Sequence, residues 1–336
     1  MTWPVAGAAR ATTGARAKQE DAFAIRPSAG EAEDGSGEGL LAVVADGMGG
    51  HAGGEVAARL ACETFVATFQ AAEGAPGDRL RAALEAANAA IAARAAEDGR
   101  LHGMGTTLVG AWIDAAGLHW ASVGDSLLLL FRAPEVLRLN ADHSLGAFLD
   151  ARARRNEISA AEAERNPYRN ALRSALTGKT IEILDVRAAP YPLASGDWLI
   201  LASDGIATLS GDEIGDIVYA NRDADPEQMA DRLIAAVLAK ETPDQDNTTV
   251  LAVKVGEGSA SVASDEAPTR IVRVDAAPVA ALHSGGADVE TLPRVEPQRG
   301  APPAYTTLLN RHRSVLIGVG MAAMFLIGWL LRAVLG

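Results

Sequence analysis

The chain has 336 residues, 49% of them apolar, and a formal charge of −13, enough for a sizeable core in one large domain or two modest ones. The acidic balance excludes nucleic acid as a partner, because gripping a phosphate backbone needs a basic face. A single cysteine, Cys62, excludes a disulfide within the chain and fits a reducing compartment. Cys62 lies on a helical pattern with Val56, Leu60, Ala61, Phe65 and Phe69, which reads as a small buried apolar residue. The first fourteen residues are mixed and Gly/Ala-rich, without the charged-then-apolar order of a signal segment, so the bulk of the chain is expected in the cytosol.

In chain order, runs of strand length and composition fall at 40–45, 107–113, 118–123, 127–132, 181–186, 197–202 and 248–255. Helical spacing predicts helices over 55–69 and 79–96, the second with Leu80, Leu84, Ala87 and Ile91 on one face. Helix starts are signalled by Ser159-x-x-Glu162, Ser210-x-x-Glu213 and Asp225-Pro226-x-Gln228. Strands in succession joined by tight turns predict antiparallel sheets with helices packed outside, an α+β class. The periodic region ends near residue 256.

Residues 257–313 hold six of the fifteen prolines and read as a disordered linker. Within it, 270–274 alternates like a strand that could add to a sheet edge; an apolar patch in a linker is the simpler reading. Residues 315–331 are seventeen uninterrupted apolar or glycine positions, a helix of about 25 Å. With Arg311, His312 and Arg313 before it, the span 314–335 is expected to be a single-pass transmembrane helix that leaves the long N-terminal part cytoplasmic.

Four carboxylate groups stand where apolar runs stop. The run 40–45 meets Asp46-Gly47, 198–202 meets Ser203-Asp204-Gly205, 119–123 meets Gly124-Asp125, and Asp246-Asn247 directly precedes 248–255. Buried carboxylates repel one another unless protonated or neutralised. A hard divalent cation neutralises them with oxygen ligands alone, pointing to magnesium or manganese and away from zinc. An ordinary Asp-Gly turn remains open for any one of them. A pair of such ions is suited to phosphate-ester hydrolysis. Arg16 offers a planar fork for phosphate oxygens, although by itself it reads equally as a surface residue.

The ordered segments resemble the metal-dependent Ser/Thr protein phosphatase family (PPM, type 2C-like), in its bacterial form. They are Gly14-Ala-Arg16 with Glu20-Asp21, Asp46-Gly-Met-Gly-Gly-His51, Gly103-Met-Gly-Thr-Thr107, Val123-Gly-Asp-Ser126, Asp142-His-Ser144, 171–176, Ser203-Asp-Gly205 and Asp246-Asn247. The resemblance covers residues 10–255 and implies a phosphatase domain over 1–256. Its fold would be a sandwich of two antiparallel β-sheets flanked by helices, four layers α-β-β-α.

The resemblance implies hydrolysis of phospho-Ser/Thr on proteins by in-line attack of a metal-bridged hydroxide. Two Mn2+ or Mg2+ ions are implied, with a third weaker one. Asp46 would bridge both ions, the Gly47 carbonyl and Glu20 and Asp21 would serve the second, and Asp204 and Asp246 would complete the first. Asp125 with Asp204 would serve the third ion, and Arg16 would bind the substrate phosphate.

The implied partners are phosphorylated proteins, including a Ser/Thr protein kinase and its substrates, at the membrane. Gln19 stands where many bacterial members have Asn, and Met48 stands where eukaryotic members place a His as candidate acid. His51, three residues on, reads as a proton donor or a polar turn residue. Residues 143–170 fall at the family's mobile flap. Its Arg152, Arg154, Arg155, Arg165 and Arg169 read equally as a guide for acidic phosphopeptides or as an exposed helix face. A non-catalytic phosphoprotein-binding relative and a small-molecule phosphodiesterase are the competing readings; intact Asp46, Asp204 and Asp246 speak against the first, and the lack of a nucleotide-binding signature against the second.

Overall fold

The computed structural model describes residues 5–28, 39–49 and 53–256. The elements run β1 (Val5–Thr12), β2 (Asp21–Ser28), β3 (Gly39–Met48), α1 (Gly53–Ala71), α2 (Pro76–Glu97), β4 (Gly105–Thr106), β5 (Leu108–Asp114), β6 (Gly117–Val123), β7 (Leu127–Arg132) and β8 (Glu135–Arg138). Then come α3 (Leu145–Arg154), α4 (Ala160–Glu164), β9 (Asp185–Tyr191), β10 (Trp198–Ala202), α5 (Gly211–Ala220), α6 (Pro226–Leu238) and β11 (Thr248–Val255). Short 3-10 turns lie at Gly99–Leu101 and Asp204–Thr208.

One sheet has the order β1-β11-β10-β7-β8 and the other β2-β3-β5-β6-β9, with β4 paired to β3. Every pairing is antiparallel. Side chains alternate faces along a strand, and here both faces are covered. On β3, Leu40, Ala42 and Val44 join Leu128, Leu130, Leu199, Leu201, Leu251 and Val253 between the sheets. The alternate residues Leu41, Val43 and Ala45 pack on α1 and α2 through Phe65, Phe69, Leu80 and Leu84. The outer face of the other sheet, with Ile200, Trp198 and Ala252, packs on Ile214, Val218, Met229 and Leu233 of α5 and α6. This is the four-layer α-β-β-α sandwich expected. Each fully buried Leu, Ile or Phe side chain contributes about 1.5–3 kcal/mol, which explains why the interior strands read as near-continuous apolar runs.

The signalled helix starts form as written. Ser210 and Glu213 exchange both hydrogen bonds of a capping box, Asp225 accepts from the Gln228 N–H ahead of Pro226, and Ser159 accepts from the Glu162 N–H. The run 181–186 is a correction: the strand begins only at Asp185 and continues to Tyr191. Ile181 and Leu184 instead pack against the α1/α2 core from a loop, so their apolar character reflects burial outside a strand. Strands β1, β2, β4 and β8 carry no run that the sequence singled out. The 257–313 linker with its 270–274 patch, the 314–335 span and His51 lie outside the described residues. Among the described residues no helix is long and apolar enough to cross a membrane.

Candidate functional site

At one end of the sandwich the inter-sheet layer turns from apolar to polar. Continuing the alternation of β3, the residue after Leu40, Ala42 and Val44 on that face is Asp46. Asp21 of β2 stands directly across the ladder from it. On β10, Leu199 and Leu201 are followed by Ser203, whose hydroxyl donates to Asp21 Oδ2 at 2.7 Å. On β5, Val109 and Ala111 are preceded by Thr107. Its Oγ1 accepts the Asp46 N–H at 3.0 Å and lies 2.7 Å from Ser126 Oγ. Thr106 and Thr107 together donate to the Asp46 carbonyl, so the backbone carrying this carboxylate is held from both sides.

Two close approaches bring the remaining donors in. A Cβ on Gly47 would stand 2.2 Å from the Gly54 carbonyl and 2.4 Å from the Glu20 carbonyl, so only glycine lets β3, the start of α1 and the Glu20 loop meet here. The Gly47 N–H donates to the Glu20 carbonyl at 3.2 Å. Asn247, buried, ties the Arg16–Glu20 loop to β11. Its amide donates to the Thr13 and Lys18 carbonyls at 3.0 and 2.9 Å, and its oxygen accepts the Glu20 N–H at 2.8 Å. Gln19 accepts the Asp21 N–H and donates to the Thr12 carbonyl, so both ends of its amide are engaged. Asn247→Ala removes three hydrogen bonds and strands their partners; a loss of roughly 2–4 kcal/mol is expected. An unchanged urea midpoint in Asn247→Ala would refute that role.

The electrostatics are those of a site with too much negative charge. Burial raises the Asp46 carboxyl well above its ordinary range, with the charges of Asp21, Asp204 and Asp125 adding to it. Asp204 is raised by burial and by Asp246, opposed in part by a hydrogen bond it shares with Asp46. Asp21 is pushed up to about 6, chiefly by burial, against the Ser203 hydrogen bond. Burial and then Asp204 and Asp142 push Asp125 up to about 7, with Arg138 opposing.

Arg138 grips the Asp125 carbonyl and the Asp142 carboxylate, each at 2.7 Å. His143 accepts the Gly124 N–H on Nδ1 at 3.1 Å, and burial keeps its ring neutral by lowering its pKa. Cys62 is buried and its thiol is pushed up to about 12, which excludes it as a neutral-pH nucleophile.

The donor set fits hard divalent cations. It is oxygen-only, strongly anionic, and it leaves Asp21 Oδ1 buried without a hydrogen-bond partner among the described residues. No three of these side chains among the described residues are already drawn in around one point as a bound ion would hold them. What unites them is one cleft and their mutual repulsion.

That cleft has a volume of about 710 Å³, and Arg16, Glu20, Asp46, Gly47, Asp125, Asp204 and Asp246 all line it. Asp21, across the ladder from Asp46, is not among the lining residues. Arg16 is more than half exposed and pairs with Asp246 Oδ2 at 2.7 Å.

A further stretch of the cleft wall comes from the segment 170–182, including Arg173 and Lys179. Lys179 lies in no periodic run or motif, and Arg173 falls in the 171–176 segment, which carried no expected role at the site. Ser174 and Leu176 are buried, but Arg173 faces the cleft. None of the five flap arginines lines the cleft. Arg152 and Arg155 pair with Glu157, and Arg169 pairs with Asp150, which favours the exposed-helix reading of that group.

Comparison with known proteins agrees with this architecture. The family model for protein phosphatase 2C matches residues 7–233. The serine/threonine protein phosphatase PstP of Mycobacterium tuberculosis is 36% identical over 225 residues, 66% of this chain and 41% of the relative. The chain thus spans about two-fifths of that relative's length. The crystal structure of M. tuberculosis PstP/Ppp is similar at 32% identity and a TM-score of 0.60, covering 75% of this chain and 99% of the other. The PstP catalytic domain solved in complex with two manganese ions is similar at 31% identity and a TM-score of 0.60, with coverages of 75% and 99%. The chain belongs to the protein phosphatase 2C family.

Proposed function

We propose that the chain is a metal-dependent phosphoprotein phosphatase that hydrolyses phosphoserine and phosphothreonine on proteins, opposing a Ser/Thr kinase at the membrane. One observation carries this reading. Strand-end carboxylates from both sheets collect in a single cleft with mutually raised proton affinity, beside the guanidinium of Arg16. Asp46, Gly47, Asp204, Asp246, Glu20, Asp21 and Asp125 would hold two manganese or magnesium ions and a weaker third. Such ions supply an activated water and neutralise charge on the transferring phosphoryl group. Arg16 would leave Asp246 to grip the phosphate with its fork, while the Thr106/Thr107 and Asn247 hydrogen bonds keep the carboxylates in place. The assay is release of phosphate from a phosphothreonine peptide with added manganese, repeated with excess chelator. Turnover that survives chelation would discard the metal-dependent reading. Tight peptide binding without turnover would favour a phosphoprotein-binding role.

The membrane part of the proposal rests on the seventeen-residue apolar run at 315–331 with its preceding Arg311, His312 and Arg313. A chain truncated after Val255 is expected to remain soluble and fully active. The full chain should sediment with membranes and resist carbonate extraction. Protease added outside intact cells should leave the phosphatase domain uncut; cleavage there reverses the topology.

A further inference from the structure

Three cations line the cleft, and their surroundings set them apart. Arg16 is paired with Asp246. Arg173 lies with its guanidinium 4.2 Å from the centre of the Phe148 ring, a contact that leaves its outward N–H groups available. Lys179 is exposed, and among the described residues its ammonium has no ion pair or hydrogen bond. Glu182 is the one carboxylate on the same wall. The other carboxylates of the cleft belong to the candidate metal set.

The backbone under Lys179 is held with unusual care for a loop. Asn88 of α2 accepts the Thr177 and Gly178 N–H groups at 3.1 and 2.9 Å and donates to the Lys179 carbonyl at 2.7 Å. Gly178 adopts φ +76°, and a Cβ there would stand 2.6 Å from the Ala92 Cα, so the turn lies flush on α2. On one side Leu176 exchanges backbone hydrogen bonds with Thr106, beside the Asp46 backbone. On the other, Ser174 Oγ donates to the Ile183 carbonyl and accepts the Ile183 N–H. The loop is thus pinned at both ends and at its middle, which fixes where the Lys179 side chain starts relative to the carboxylate floor.

We propose that Lys179, with Arg173 beside it, forms a second-anion subsite on the cleft wall, which receives a carboxylate or second phosphate flanking the scissile phosphoresidue of a peptide substrate. This rests on the phosphatase reading and adds to it a substrate preference. A small ester such as p-nitrophenyl phosphate has one anionic group, which the floor and Arg16 occupy, and nothing to offer this wall. A peptide carries further side chains along the cleft. Asn88 is the positioning residue.

The test uses the full chain with manganese and three phosphothreonine peptides that differ at one flanking position, which is scanned along the peptide and carries alanine, glutamate or a second phosphothreonine. The wild type is expected to favour an anionic neighbour by about five- to tenfold in kcat/KM, mainly through KM and less so in high salt, because exposed charges are screened. Lys179→Ala should flatten that preference, Lys179→Glu should invert it, and Asn88→Ala should weaken it. The ratio of peptide to p-nitrophenyl phosphate hydrolysis exposes the subsite independently of the chemical step. Preference for both anions means any negative group is read; preference for the bisphosphorylated peptide alone means phosphate is. Equal rates on all three peptides in the wild type at every position, or full preference retained in Lys179→Ala, overturn the subsite. Absence of hydrolysis of every phosphopeptide overturns the phosphatase reading itself.

Discussion

Asp46→Asn and Asp204→Asn are each expected to cut turnover at least about a thousandfold, roughly 4 kcal/mol of transition-state stabilisation, and yet to leave the metal-free protein more stable at neutral pH. Both consequences have one cause. Asp46 sits where the alternation of β3 would otherwise place an apolar side chain, Asp204 opens the 3-10 turn just after β10, and burial with the charge of neighbouring carboxylates raises the proton affinity of both. A carboxylate that is harder to ionise folded than unfolded costs stability once pH exceeds its unfolded pKa. An amide of the same shape carries no such cost, but it cannot neutralise a cation.

The pH dependence follows from Asp21 at about 6 and Asp125 at about 7. Below about pH 3 both groups are protonated folded and unfolded, and the cluster costs nothing in charge. As pH rises from about 4 to 7 the unfolded chain ionises first, so the folded state loses stability through that window and stays lower above it. The Tm of the metal-free wild type should therefore fall more steeply from pH 4 to 7 than that of Asp46→Asn. The Tm gain from added manganese should grow over the same window, since the ion competes with protons. Equal slopes in wild type and variant would mean that repulsion at Asp46 contributes little, and retained activity in either variant would remove it from the reaction.

The strands legible in the sequence and the strands that were not divide by position in the sheets. The interior strands β3, β5, β6, β7, β10 and β11 all appeared as apolar runs, because a strand covered on both faces has few polar positions. The four edges, β1, β8, β2 and β9, were missed or displaced. β1 is Gly/Ala-rich and β2 contains Pro27, residues that weaken a strand signal and that an edge tolerates. Asp21 shows the consequence for the site. It was read from a resemblance, yet what places it opposite Asp46 is the β2–β3 register, which nothing local predicts.

The strand-end carboxylates were legible because a charge at the end of a buried run is a local anomaly. The 170–182 wall was not: its 171–176 part entered only through a resemblance, and its place in the cleft depends on Asn88, about ninety residues upstream, and on a turn packed against Ala92.

Arg16→Ala is expected to raise KM for a phosphothreonine peptide about tenfold and to lower kcat about threefold, together near 2 kcal/mol in kcat/KM. The larger share falls on KM because a fork that holds the phosphate in both ground and transition states contributes uniform binding. The smaller share on kcat reflects charge that develops on the phosphoryl oxygens, most of which bound cations already neutralise. The pairing of Arg16 with Asp246 makes a second readout informative. If Arg16 serves the phosphate, removing it frees the Asp246 carboxylate, and the manganese concentration for half-activation should hold steady or fall. If Arg16 instead orients Asp246 as a ligand, that concentration should rise while KM for the peptide at saturating metal stays put. Arg16→Lys separates the fork from the charge: an ammonium restores the attraction but not the paired geometry, so it should recover only part of the loss. Steady-state kinetics with metal titrated separately for each variant decides between the two roles, and an Arg16→Ala enzyme with unchanged KM and a raised manganese requirement makes Arg16 a support for Asp246.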